Sequence, residues 1–89
     1  MIKAYRRKPE TLQALLFTED NVEEVKAFLG NKYIDGDGKR VRFYGDVSLE
    51  DCFVGELVAK CKSGDCEYFS CKSPWALREY YEEVEVDDG

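Results

Sequence analysis

Residues 53–72 read FVGELVAKCKSGDCEYFSCK, and the folding of this stretch decides the architecture of the chain. An apolar arm, Leu57 to Ala59, precedes Ser63-Gly64, and a second arm with Tyr68 and Phe69 follows. Two such arms around a short Ser-Gly segment predict a β-hairpin. With Ser63 and Gly64 as the central turn residues, Cys61 stands opposite Cys66, Ala59 opposite Tyr68, and Leu57 opposite Ser70.

The flanking segments extend this hairpin into an α+β domain. Downstream, Ser73 suits a helix N-cap and Pro74 the first helical position, which predicts a short helix over about 74–81. Ala76 or Leu77, with Tyr80 and Tyr81, would form its inward face. Val84 and Val86 alternate with Glu83 and Glu85, as in a short closing strand. Upstream, TEDNVEEVKAFLG (18–30) carries Val22, Val25, Phe28 and Leu29 at helical spacing, predicting a longer helix over about 19–29. Thr18 or Asp20 is its expected N-cap, Glu23 completes a capping box with Asp20, and Gly30 ends it. Residues 2–8 read as extended, and Thr11 to Phe17 as a strand entered through a bend at Pro9 and Glu10. Between helix and hairpin, Lys32 to Ile34 forms a short strand and Asp35-Gly36-Asp37-Gly38 a turn. Val41 and Phe43 then alternate with Arg40, Arg42 and Tyr44 in a half-buried strand. The expected fold is a small antiparallel sheet packed by these two helices, in one domain over residues 1–89.

Composition narrows the function. Thirteen basic and 19 acidic residues leave a net charge of −6, with an isoelectric point near 4.6. Nucleic-acid binders usually present a basic stripe and a basic isoelectric point, so nucleic acid is not the expected main partner. The charge is polarised. Lys3, Arg6, Arg7 and Lys8 lie near the start, and Glu79, Glu82, Glu83, Glu85, Asp87 and Asp88 near the end. No apolar run approaches the roughly 20 residues that span a bilayer. No apolar segment follows the basic start as in a signal peptide, so a cytoplasmic location without membrane contact is expected.

Four stretches together resemble a family of small proteins encoded by bacteriophages and prophages. They are YRRKP (5–9), TEDNVEEVKAFLG (18–30), GELVAK (55–60) and CEYFSCKSPWALREYYEEV (66–84). The family pattern runs YRKKP, then NxEEVxxFLG, then GDYIIK, then GEFYxCKPDxF. Leu57 stands where the family usually has Tyr, and Ser73-Pro74 shifts the proline. The hairpin is longer and brings in Cys61 and Cys66, while Cys71 alone occupies the family's cysteine position. The resemblance implies a phage origin and a bacterial host cytoplasm. Family members carry no assigned activity, so no catalytic residue transfers.

The residues themselves offer little chemistry. The chain has four cysteines and no histidine, which removes the usual general base and the usual zinc co-ligand. The spacing Cys52-x8-Cys61-x4-Cys66-x4-Cys71 lacks paired knuckles, and alternation sends Cys66 and Cys71 to opposite faces. No metal or cofactor is therefore expected, and Cys52 and Cys71 read as small buried apolar side chains. The hairpin register would let Cys61 and Cys66 bridge, whereas a reducing cytoplasm opposes it; the sequence leaves the pair either bridged or reduced. Asp35-Gly36-Asp37-Gly38 lacks the closing glutamate of a calcium loop and reads as a turn.

Without a catalytic constellation, the expected function is non-enzymatic: binding and modulating a host protein, as an inhibitor of an anti-phage defence system such as CRISPR-Cas would. Trp75 and Tyr80, with Glu79, Glu82, Glu83 and Glu85, form the expected partner surface, because aromatic anchors dominate interface energetics. The alternative is a nucleic-acid or nucleotide-binding accessory protein using Arg6, Arg7 and Lys8. Both monomer and homodimer fit the sequence.

Overall fold

The computed structural model describes the backbone of residues 2–7 and 10–84, with side chains described for 2–4, 12–79 and 81. Two antiparallel sheets and two helices alternate along the chain in the expected order. Strands β1 (Ile2–Arg7) and β2 (Glu10–Leu16) form a hairpin, followed by helix α1 (Val22–Leu29) and a single 3-10 turn, Gly30–Lys32. Strands β3 (Tyr33–Gly36), β4 (Arg40–Tyr44) and β5 (Leu49–Phe53) form a meander. The second hairpin is β6 (Leu57–Ser63) with β7 (Cys66–Lys72), and helix α2 (Pro74–Tyr80) and strand β8 (Glu82–Val84) close the fold. The larger sheet has the order β7-β6-β2-β1-β8, and the smaller β3-β4-β5. The sequence predicts one sheet; β3 to β5 separate into their own.

Strand alternation builds two cores on opposite faces of the large sheet. Leu12, Ala14, Leu57, Ala59 and Cys61 face α2, where Leu77 is buried and Tyr81 packs alongside. Leu15, Val58 and Phe69 face the other way, onto Val25 and Leu29 of α1 and Val41, Phe43 and Cys52 of the small sheet. Phe28 stands edge-on to Phe69, ring centroids 5.6 Å apart.

The β6–β7 register differs from the expected one by two residues. Ser63 pairs with Cys66, Cys61 with Tyr68, Ala59 with Ser70, and Leu57 with Lys72. The central turn residues are Gly64 and Asp65, and Gly64 takes φ +60°. A two-residue hairpin loop of the II′ kind wants Gly first, where φ is positive, and Gly64 meets that need only in this register. A two-residue slip keeps every side chain on its face, so hydrophobic pattern alone did not separate the registers.

The start of α1 also departs from expectation. Neither Thr18 nor Asp20 caps it. Asn21 is the N-cap, but its side chain makes no capping bond. Its Oδ1 accepts from the Thr18 amide at 2.8 Å, and its Nδ2 donates to the Leu16 carbonyl at 2.7 Å. Asn21 is spent on fixing the strand-to-helix turn, so the helix begins later. Gly30 ends it at φ +59° as predicted, with ψ −127°, and the 3-10 turn pushes β3 to Tyr33–Gly36. At α2 the prediction holds: the Ser73 Oγ accepts from the Ala76 amide at 3.1 Å, with Pro74 in the first turn.

Candidate partner-binding surface

Strand β5, absent from the predicted elements, sets the character of the small sheet. Its pattern is inverted. Cys52 points into the core and Glu50 is half-buried, whereas Leu49 and Phe53 are each 52% exposed. Glu50 is tolerated inside because its Oε1 accepts from the Ser70 Oγ and the Cys71 amide, each at 3.3 Å. Alternation then forces Leu49, Asp51 and Phe53 outward.

The outward face is built from three cross-strand pairs: Tyr44 with Leu49, Arg42 with Asp51, and Arg40 with Phe53. Tyr44 is 53% exposed, and Val47 in the adjoining turn 93%. Val54 extends the apolar surface beyond Phe53. Charges cross the middle. Arg42 holds Asp51 bidentately, Nε to Oδ1 at 2.8 Å and Nη2 to Oδ2 at 3.2 Å. Arg40 reaches Asp51 at 3.7 Å and Asp35 at 3.5 Å. The Arg42 guanidinium holds the Asp51 carboxyl below the usual carboxylate range. At the β3–β4 turn, the Lys39 and Arg40 amides donate to Asp37 Oδ1 and lower that carboxyl likewise. The face therefore combines exposed aromatic and aliphatic ends with an ordered arginine pair, the composition that interface cores favour.

The expected surface on α2 is partly described. Trp75 is 56% exposed and Glu79 is exposed four residues on, so helical spacing brings the two to one face. Tyr80 ends α2, and Glu82 and Glu83 lie on β8; their side chains, and Glu85 altogether, lie outside the described residues. Arg6 and Arg7 lie on β1, and Lys8 lies outside the described residues. The register sets Arg6 opposite Glu82 and Arg7 opposite Glu10. The basic start and acidic end, far apart in sequence, are adjacent antiparallel strands.

The Cys61–Cys66 bridge does not fit the observed register. The two are diagonal rather than opposed, a relation that separates Cα atoms by about 7–8 Å, beyond ordinary disulfide reach. Cys61 is fully buried, Cys66 is exposed, and no disulfide joins them. Cys52 is buried as expected, and Cys71 is half-buried. The Cys71 thiol is pushed far above its ordinary value, first by its hydrogen bond with Cys52 and then by burial. At neutral pH it carries its proton and is a poor nucleophile.

The outward face was partly legible: alternation in Arg40–Tyr44 already set Tyr44 outside. Leu49 and Phe53 are not legible in this way, because an apolar residue in sequence reads first as core. The one available signal was Glu50 and Cys52 alternating with them at period two. No family model, curated protein or solved structure matches the chain.

Proposed function

We propose that the chain is a non-enzymatic phage or prophage protein that binds and modulates a host protein through the outer face of its three-stranded sheet. The observation that supports this reading is β5, which turns Leu49 and Phe53 to solvent while keeping Glu50 inside. Exposed aromatic and aliphatic side chains flanking an arginine pair on one face are a composition that interaction sites favour. The acidic chain suits a partner with a basic contact surface. A component of an anti-phage defence system, such as a CRISPR nuclease, is the partner class the phage resemblance suggests first.

The test is site-specific. A photocrosslinking residue placed at Leu49 or Phe53 is expected to trap one host protein from bacterial lysate, while the same residue at Trp75 traps none or far less. Phe53→Ala should then weaken the purified complex by about 2 kcal/mol or more, roughly thirtyfold, as a central aromatic anchor does. Trapping only from Trp75 would move the interface to α2. Salt-sensitive binding to DNA or RNA, without any protein partner, would replace this reading with the nucleic-acid one.

A further inference from the structure

Cys52, Glu56 and Cys71 come from three separate places in the fold. Cys52 is the inward residue near the end of β5, Glu56 lies in the turn that leads into β6, and Cys71 lies near the end of β7. The two sulfurs and a Glu56 carboxylate oxygen all lie within 4.8 Å of one another. Two thiols gathered for packing alone would sit among apolar groups, with no use for a carboxylate. A disulfide would use the two sulfurs and leave the Glu56 carboxylate with only its hydrogen bond from the Phe53 amide. A thiophilic divalent cation uses all three groups.

We propose that Cys52, Glu56 and Cys71 form a zinc site that joins the three-stranded sheet to the five-stranded sheet. This inference is independent of the partner-binding face, which lies on the other side of the small sheet. Two thiolates and one carboxylate are a donor set for Zn²⁺, and thiolates select it over magnesium or calcium. Three protein ligands leave one tetrahedral position for water. The surrounding contacts hold the ligands in place. The Phe53 amide donates to Glu56 Oε1 at 2.9 Å, fixing the carboxylate as outer-shell partners do in metal centres. The Glu56 backbone is tied on both sides, its carbonyl accepting from the Phe17 amide and its amide donating to the Phe53 carbonyl, each at 2.9 Å. Glu50 accepts from the Cys71 amide at 3.3 Å and anchors the third ligand's strand.

Without a cation, the hydrogen bond with Cys52 and burial keep the Cys71 thiol protonated. A bound cation inverts that preference. The two S–H protons leave to solvent as two Zn–S bonds form, so binding weakens as pH falls. Spacing along the chain concealed the set. Cys52-x3-Glu56-x14-Cys71 has no paired knuckle and no histidine, and its middle ligand is a glutamate.

The full chain, reduced and free of oxygen, is titrated with Zn²⁺ against a chromophoric chelator. The expected result is one zinc per chain with release of two protons, and Co²⁺ in its place shows thiolate-to-cobalt charge transfer. Cys52 is fully buried, so Cys71→Ser, at a half-buried position, is the diagnostic variant. It should lower zinc affinity by more than the about 10–100-fold that losing an outer-shell partner costs, and should weaken the charge-transfer band. Glu56→Gln should lower affinity at least tenfold while leaving that band in place, and Cys66→Ser should change nothing. Zinc binding that survives Cys71→Ser, or that is lost in Cys66→Ser, overturns the site. So does reduced protein that takes up no zinc but closes a Cys52–Cys71 disulfide in air, seen as the loss of two hydrogens in the intact mass.

Discussion

The five-stranded sheet buries residues on both faces, against α2 on one side and against α1 and the small sheet on the other. The three-stranded sheet buries one face and turns Tyr44, Leu49 and Phe53 to solvent on the other. The two are made of similar strands, yet their apolar residues serve different ends. In the large sheet an apolar side chain is core almost wherever it falls. In the small sheet Val41 and Phe43 are core, while Leu49 and Phe53 lie outside. Stability is concentrated where both faces are covered, and the surface available for recognition lies where one is not.

This contrast can be broken most directly with two phenylalanines of the small sheet. Phe43→Ala, at a fully buried position, should cost about 3–5 kcal/mol, a large part of the total stability of a domain this size. Phe53→Ala, on the exposed face, should stay within about 0.5 kcal/mol of the parent. Denaturant midpoints measure both, and similar losses at the two positions would remove the distinction between core and contact face.

A smaller effect is expected on the covered side of the large sheet. Ser73→Ala deletes the N-cap bond to the Ala76 amide and should cost about 1 kcal/mol, read from the same midpoints. No change would mean that α2 is held by Leu77 and Tyr81 packing alone.

The smallest effect is electrostatic and belongs to the small sheet. Asp51 and Asp37 have carboxyls lowered by Arg42 and by the turn amides respectively. A lowered folded-state value means that the contribution is present above the ordinary carboxylate range and is lost as pH falls through the folded-state value. Stability should therefore decline on acidification below that range. Asp51→Asn should be the less stable protein at neutral pH and should converge with the parent in acid. Urea midpoints across a pH series check this. Parallel curves for the two proteins would assign the acid response elsewhere.

Much of the fold could be read from local pattern. The apolar spacing of α1, the Ser73-Pro74 start of α2, the alternation of β4 and the second hairpin all rest on contacts within a few residues. The boundary of α1 was misplaced because Asn21, Thr18 and Leu16 form a turn that spends the capping group elsewhere. The hairpin register was misplaced because a slip of two preserves the alternation of faces, and only the backbone of Gly64 distinguishes the choices. For the expected contact residues, helical spacing placed Trp75 and Glu79 together, while the exposed face of the small sheet was half seen through Tyr44.

The sequence by itself determined both helices and most of the strands, though not β5, that the fold is α+β, and that no histidine-based chemistry is available. Periodicity, caps and composition are local or additive, and a linear reading captures them. The tertiary structure decided that β3 to β5 form a separate sheet, that β5 turns its apolar residues outward, and that Cys52 and Cys71 meet at Glu56. Those outcomes depend on which surfaces lie against each other across long stretches of chain, and a side chain's distance from a remote neighbour is not encoded in its spacing from adjacent ones.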